Sequence, residues 1–202
     1  MSTALSWGRL EVHHTGEPTA HCQAGIDSIA VSARTQGSLR LLVAADVERY
    51  GLMVSHTFRR AVNAGRSLPL IAEELDEAIS RVSMPSLCAT LVDISPSGFT
   101  VLHRGGPAPI VVRGDGALTR VVATVPGPPL GPHQSVTSDS RGEFVPASAA
   151  DVLVVTTPGS VERATHAIAD AESATLKGLW ESLLALGTAD LGNAIALASV
   201  SS

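Results

Sequence analysis

Asp27 and Asp46 are the residues of this chain whose type and setting invite chemistry. Asp27 opens one short apolar run, Asp-Ser-Ile-Ala-Val-Ser-Ala, and Asp46 closes another, Leu-Arg-Leu-Leu-Val-Ala-Ala over 39–45. A carboxylate at the mouth of a buried strand is costly unless it meets a metal, a hydrogen-bond donor or water. A strand end is also rigid, and rigid elements position ligating groups best. Two readings of Asp46 therefore stand side by side. It is an ordinary aspartate that ends a strand or caps a helix, or it is one oxygen donor of a site for a hard cation.

The elements around the pair decide whether they can cooperate. Residues 27–33 and 39–45 read as strands, and Thr35-Gln36-Gly37-Ser38 reads as the hairpin turn between them. Antiparallel pairing of that hairpin brings Asp27 and Asp46 to the same end. Two helices are expected next. The first runs over 52–64 and stops at Gly65. The second runs over 68–82, where Leu68, Ile71, Leu75, Ile79 and Val82 recur at helical spacing. Strands follow over 87–94, 99–103, 110–113 and 118–122, the last two joined by Gly114-Asp115-Gly116. Residues 126–131 are too rich in Pro and Gly for regular structure. A strand over 152–156, a helix up to Ala171 and a last helix capped by Ser173 come next. That last helix should face the core with Leu176, Leu179, Trp180, Leu183 and Leu184 and stop at Gly187. A strand over 194–200 closes the chain, and 9–14 alternates weakly enough for a first strand. This order predicts an α+β fold, helices packed on antiparallel sheets, in a single domain over 1–202.

Composition narrows the function classes. The chain is 45% hydrophobic but only 3% aromatic, with 18 Gly and 12 Pro, so its core is aliphatic and divided by many turns. A net charge of −5, with Lys177 the single lysine, excludes a general nucleic-acid binder, which needs a basic patch. No basic start with an apolar stretch behind it marks a signal peptide, and no apolar run approaches the ~18 residues of a membrane span. The expectation is a cytoplasmic protein in which Cys22 and Cys88 stay reduced. His13, His14 and His21 with Cys22 offer soft-metal ligands, but at a spacing no zinc finger uses. Gly105, Gly106 and the 127–131 loop read as turn residues, and the acidic run Glu73–Glu77 as a solvated helix face.

Taken together, these segments resemble the SpoIIE/RsbX/RsbU branch of the metal-dependent PP2C (PPM) protein phosphatases. Gly25-Ile26-Asp27 resembles the family's Gly-Gly-Asp element, and Ala45 to Gly51 its Gly-Asp-Val-x-Gly-His-Gly signature. His103-Arg104-Gly105-Gly106-Pro107-Ala108-Pro109 is similar to Asn-Ala-Gly-His-x-Pro-Pro, and Gly127-Pro128-Pro129-Leu130-Gly131 to Gly-x-x-Leu-Gly. The resemblance implies a PP2C-like four-layer α-β-β-α sandwich, two central antiparallel sheets flanked by helix pairs. It implies Mn²⁺ or Mg²⁺ at one edge of the sheets, with Asp27, Asp46 and Val47 at the metal and the two aspartates catalytic. Two such ions, roughly 3.5–4 Å apart, clamp a phosphoryl group and activate a bridging water.

The chain departs from that pattern at the ligands. Thr157-Pro158-Gly159 stands where the family has Thr-Asp-Gly, and Gly192-Asn193 where it has Asp-Asp or Asp-Asn. Arg49 and Tyr50 replace the glycine and histidine of the Gly-His-Gly element. Loss of a charged partner in a shielded site costs on the order of several kcal/mol, and each ~1.4 kcal/mol is tenfold. One ion or none is expected, with Arg49 a candidate to pair with Asp46 in place of a cation. Asp151, Glu162 and Asp190 are the candidates for a substitute ligand. Two functions follow from the resemblance. One is a pseudophosphatase or strongly impaired phosphatase that binds a phosphorylated bacterial regulator of the STAS or anti-sigma antagonist type. The other is an active Mn²⁺/Mg²⁺-dependent serine/threonine phosphatase acting on such a partner.

Overall fold

The computed structural model describes residues 17–25, 27–35, 37–120, 127–131, 142–186 and 193–200. The strand expected over 9–14 lies outside them, as do His13, His14, Gly187 and Asp190.

Among the described residues, ten strands form two five-stranded sheets. The first contains β1 (Thr19–Ala24), β6 (Ile110–Val112), β7 (Leu118–Arg120), β9 (Val152–Thr156) and β10 (Ala194–Ser199), in the order β1-β10-β9-β6-β7. The second contains β2 (Ser28–Arg34), β3 (Leu39–Ala45), β4 (Ala89–Ser95), β5 (Gly98–Arg104) and β8 (Glu143–Pro146), ordered β2-β3-β4-β5-β8. Every pairing between these strands is antiparallel. The helices are α1 (Gly51–Asn63), α2 (Leu68–Arg81), α3 (Val161–Asp170) and α4 (Leu176–Ala185).

Three separate cores make four layers. One joins α1 and α2 to the second sheet, with Phe58, Ile71 and Leu75 from the helices against Leu42, Ala44 and Leu91. The middle core lies between the sheets, where Leu41, Val43, Val92 and Phe99 meet Leu153, Val155, Ala196 and Ala198. The third sets Ala164, Leu179, Trp180 and Leu183 of α3 and α4 on Val154, Ile195 and Leu197. This is the predicted α-β-β-α sandwich. Its α1 buries Val54, Thr57, Phe58, Ala61 and Val62 at three- and four-residue steps, the stripe that fixes a helix on a sheet. Gly65 follows with φ +69°, where its amide closes on the Val62 carbonyl at 2.9 Å.

Three expectations are corrected. Thr175, not Ser173, caps α4: its extended backbone aims the hydroxyl at the Gly178 amide, 3.2 Å away. Leu184 points to solvent and is 45% exposed, while Leu179, Trp180 and Leu183 form the buried face. Strands β1 and β8 were not anticipated at all. In β1, Cys22 packs toward the middle core, whereas the His21 ring lies 5.3 Å from that of Trp180 on the helix side. The alternation of a strand thus sends these two to opposite faces, which removes them as a joint metal site. Burial pushes the Cys22 thiol up to about 12, so it stays protonated.

Asp151 sits at the start of β9, far from any substitute-ligand role. Its Oδ2 accepts from Arg113 at 3.0 Å and from the Ser148 amide at 2.8 Å, and its Oδ1 from the Gly114 amide at 3.1 Å. Burial alone would raise its pKa, but these bonds outweigh burial and hold the carboxyl below its ordinary value. A carboxylate lowered in the folded state stabilises above the unfolded value, about pH 4, and loses that contribution as pH falls through the folded value. Asp151→Asn is therefore expected to cost about 2–3 kcal/mol in urea unfolding at neutral pH. The difference from the unaltered protein should shrink as the pH is lowered below about 4.

Candidate functional site

The β2–β3 ladder ends with Ser28 opposite Ala45. Asp27 and Asp46 are the next residue on each strand, so they stand side by side at one sheet edge, as the hairpin predicted. The Val47 amide continues the ladder by donating to the Asp27 carbonyl at 3.0 Å. Asp27 is half-buried and Asp46 exposed. Neither carboxylate has a hydrogen-bond or ion-pair partner among the described residues. Two negative charges on one edge repel each other, and a cation between them would relieve that repulsion.

Asp46 has φ +60°, in the left-handed region. This turn takes the chain out of β3 and into the one-turn 3-10 helix at Glu48–Tyr50, then directly into α1. Val47 itself is buried beneath α1, and its carbonyl accepts from the Tyr50 amide at 2.8 Å. Only the second lone pair of that oxygen is left for any other use. Arg49 donates to the Tyr50 hydroxyl at 2.8 Å, and its guanidinium lies 5.0 Å from the centre of that ring. The arginine thus braces the tyrosine.

The other sheet delivers its residues to the same edge. Beyond β9, the Thr157 amide donates to the Ala194 carbonyl at 3.0 Å, and the Ala194 amide donates to Thr157 Oγ1 at 2.9 Å. Asn193 precedes β10. Its carbonyl accepts from the Gly25 amide and from Ser28 Oγ, both at 2.8 Å, which ties it to the segment carrying Asp27. The Asn193 side chain packs onto Gly159 so closely that a Cβ there would meet Oδ1 at 2.1 Å. Positions 158 and 193 therefore do converge on the Asp27 edge, but they carry a proline and an amide. Between the sheets the gap lined by Cys88, Thr90, Gly106, Thr157 and Pro158 is too tight for a water molecule. Burial and the nearby Asp46 charge both raise the Cys88 thiol, so it too is held protonated.

A second cluster buttresses the edge. Arg104, buried on β5, donates through Nε to the Pro128 carbonyl at 2.6 Å and through Nη2 to Asp76 Oδ2 at 3.0 Å. Asp76 Oδ1 in turn accepts from the Gly131 amide at 2.8 Å. Gly105, with φ +70°, lies flat under Pro129, which a Cβ would strike at 2.5 Å. One member of the acidic run on α2 is thus a structural partner, contrary to the expectation of a fully solvated face. His103 is buried opposite Thr90, and neither ring nitrogen has a hydrogen-bond partner.

The donor set is a test of the metals that such a fold would hold. Two divalent ions bring four positive charges and want several carboxylates. Among the described residues, no group of three or more His, Cys, Asp or Glu gathers where an ion could bind. Glu162 is exposed on the first turn of α3. Among the described residues, Asp27 and Asp46 by themselves do not fit a two-ion clamp. By charge they suit one hard ion that keeps most of its water.

A four-layer sandwich of two antiparallel sheets between helix pairs, with its acidic edge at the β2–β3 end, defines the PP2C-like class. The family model for stage II sporulation protein E (SpoIIE) matches residues 24–192. The chain belongs to this family of SpoIIE-type PP2C proteins. Among solved structures, it is similar to the RsbU and RsbW domains of Rv1364c from Mycobacterium tuberculosis (17% identity, TM-score 0.69). That likeness covers 93% of this chain and 62% of the other. The PP2C phosphatase domain with a regulatory fragment of Bacillus subtilis SpoIIE matches at 12% identity and TM-score 0.66, over 92% and 63% of the two chains. RsbX in complex with magnesium matches at 15% identity and TM-score 0.65, over 97% of this chain and 100% of that one. The chain thus spans about three fifths of the first two. Comparison with curated protein sequences gave no significant match. No described helix is long and apolar enough to cross a membrane.

The backbone at Asp46 provides a stability test. A left-handed residue with a branched Cβ costs about 1–2 kcal/mol, whereas glycine adopts it freely. Asp46→Val is expected to destabilise by about 1–2 kcal/mol in urea unfolding, and Asp46→Gly to be neutral within about 0.5 kcal/mol. Equal stability of the two variants would remove the strain.

Proposed function

We propose that this chain acts chiefly by binding: a pseudophosphatase, or a strongly impaired phosphatase, of the SpoIIE-type PP2C family. Its partner is a phosphorylated bacterial regulator of the STAS or anti-sigma antagonist type, in stress or sigma-factor signalling within the cytoplasm. Residues 1–202 act as one domain in this reading. The observation that carries it is the composition of the edge. Four positions converge there, and only Asp27 and Asp46 bring charge, while Pro158 offers no side-chain oxygen and Asn193 a neutral amide. A surface for a partner lies beside that edge. Leu52, on the first turn of α1, is 83% exposed, and His56 and Arg59 continue its solvent-facing stripe. An apolar anchor ringed by polar groups is a common form of contact surface.

The second reading, an active Mn²⁺- or Mg²⁺-dependent serine/threonine phosphatase, draws support from the same two carboxylates. Both are unpaired, and Asp46 keeps a backbone conformation that glycine would fill more cheaply. One ion held there with Val47 nearby would supply a Lewis acid for phosphoryl transfer. The chain's own part would be to orient that ion through Asp27 and Asp46.

Assay of the purified protein on a phosphorylated STAS-domain substrate and on p-nitrophenyl phosphate, with excess Mn²⁺, separates the two. Binding without turnover is the expected result. Turnover that Asp46→Asn abolishes would establish the enzyme instead. Restoring charge provides the converse test. Pro158→Asp combined with Asn193→Asp should tighten Mn²⁺ binding at least about tenfold, read by calorimetry, because each carboxylate adds a charge-assisted contact. Unchanged Mn²⁺ affinity would show that these positions are not where the ion is lost.

A further inference from the structure

The third core does not close at one end. Between the β6–β7 turn and the segment linking α3 to α4 lies an open cavity of about 370 Å³, within the size range of small-ligand sites. It is at the opposite end of β9 from Thr157, since Val112 pairs with Val152 at the strand's start, and on the helix side of the sheet. Its floor is aliphatic: Val112 and Leu179 are each 2% exposed, and Ile168 is half-buried. Its rim is acidic. Asp115 comes from the turn and Glu172 from the linker, one carboxylate from each wall.

Among the described residues, no cation at the mouth pairs with either carboxylate. No Lys, Arg or His lines the cavity among the described residues. Arg113, next in sequence to the turn, is engaged by Asp151 and the Pro146 carbonyl. Lys177 lies 3.8 Å from Glu181 on its own helix. Asp115 Oδ1 accepts from the Ala117 amide at 2.9 Å, which fixes the carboxylate and leaves Oδ2 open. Glu172 has no partner among the described residues. A bare divalent ion suits this place poorly, because half of its surroundings are hydrocarbon and only two carboxylates are at hand. An aliphatic chain with a positive charge at each end matches floor and rim together.

We propose that this cavity binds a short aliphatic diamine, with its methylenes on Val112, Ile168 and Leu179 and its two ammonium groups on Asp115 and Glu172. This site is independent of the Asp27–Asp46 edge, so Asp46→Asn leaves it unchanged. The test is a titration of the full chain with cadaverine at low ionic strength, followed by NMR. Saturable shifts are expected at the Gly114 and Gly116 amides and at the Ile168 and Leu179 methyls. Glu172→Gln, at an exposed position that does not threaten folding, should weaken cadaverine about tenfold by removing one charge-assisted bond. Pentylamine should bind the unaltered protein weakly, about as cadaverine binds that variant. Equal shifts with 1-pentanol, the same shifts with Mg²⁺, indifference to Glu172→Gln, or no saturation by tens of millimolar would each overturn the assignment.

Discussion

Strand β3 is buried on both faces, and its register sets the rest of the molecule. Leu39, Leu41 and Val43 point into the core between the sheets, while Leu42 and Ala44 point under α1 and α2. Sliding its pairing by one residue would exchange these sets and put every neighbour on the wrong side. Such a strand must be apolar nearly throughout. The exception, Arg40, meets Asp93 directly across the ladder at 3.1 Å and also donates to the Arg66 carbonyl of the α1–α2 turn. Where the double burial stops, the first charged residue is Asp46. The aspartate marks the point at which the chain leaves two cores for solvent.

Everything at the candidate site follows from that exit. The ladder that holds β3 also holds Asp27 beside it. The tie from Asn193 to Gly25 and Ser28 brings the second sheet to the same edge. The fold therefore builds the meeting place with much hydrogen bonding, and of the four positions discussed there Asp27 and Asp46 carry charge while Pro158 and Asn193 do not. Backbone and hydroxyl contacts hold the edge together, and none of them requires an ion. The four-layer scaffold around that edge is held by three aliphatic cores.

The sequence was most legible where one periodicity ruled. The doubly buried β3, the amphipathic α1 and α2, and the Gly114-Asp115-Gly116 hairpin stood out because each has a single dominant pattern. Strand β1 was missed because its inward residues are Ala20, Cys22 and Ala24, too small to raise an apolar signal. Their spacing of two was the available clue. Strand β8 spans four residues, two of them polar or proline at its ends. The capping choice between Ser173 and Thr175 depended on backbone direction, since the two hydroxyls touch at 2.9 Å and it is that of Thr175 that accepts from the Gly178 amide. The Asp27–Asp46 pairing was legible through the hairpin and strengthened by the family motifs. Asp76 was not, because its partners lie 28 and 55 residues away and nothing local separates it from its acidic neighbours.

That carboxylate has a mechanical consequence. Asp76 grips Arg104 with one oxygen and the Gly131 amide with the other, so a single rigid fork spans helix, strand and loop. A shift of α2 would therefore be felt both at Arg104 on β5 and at the Gly131 amide.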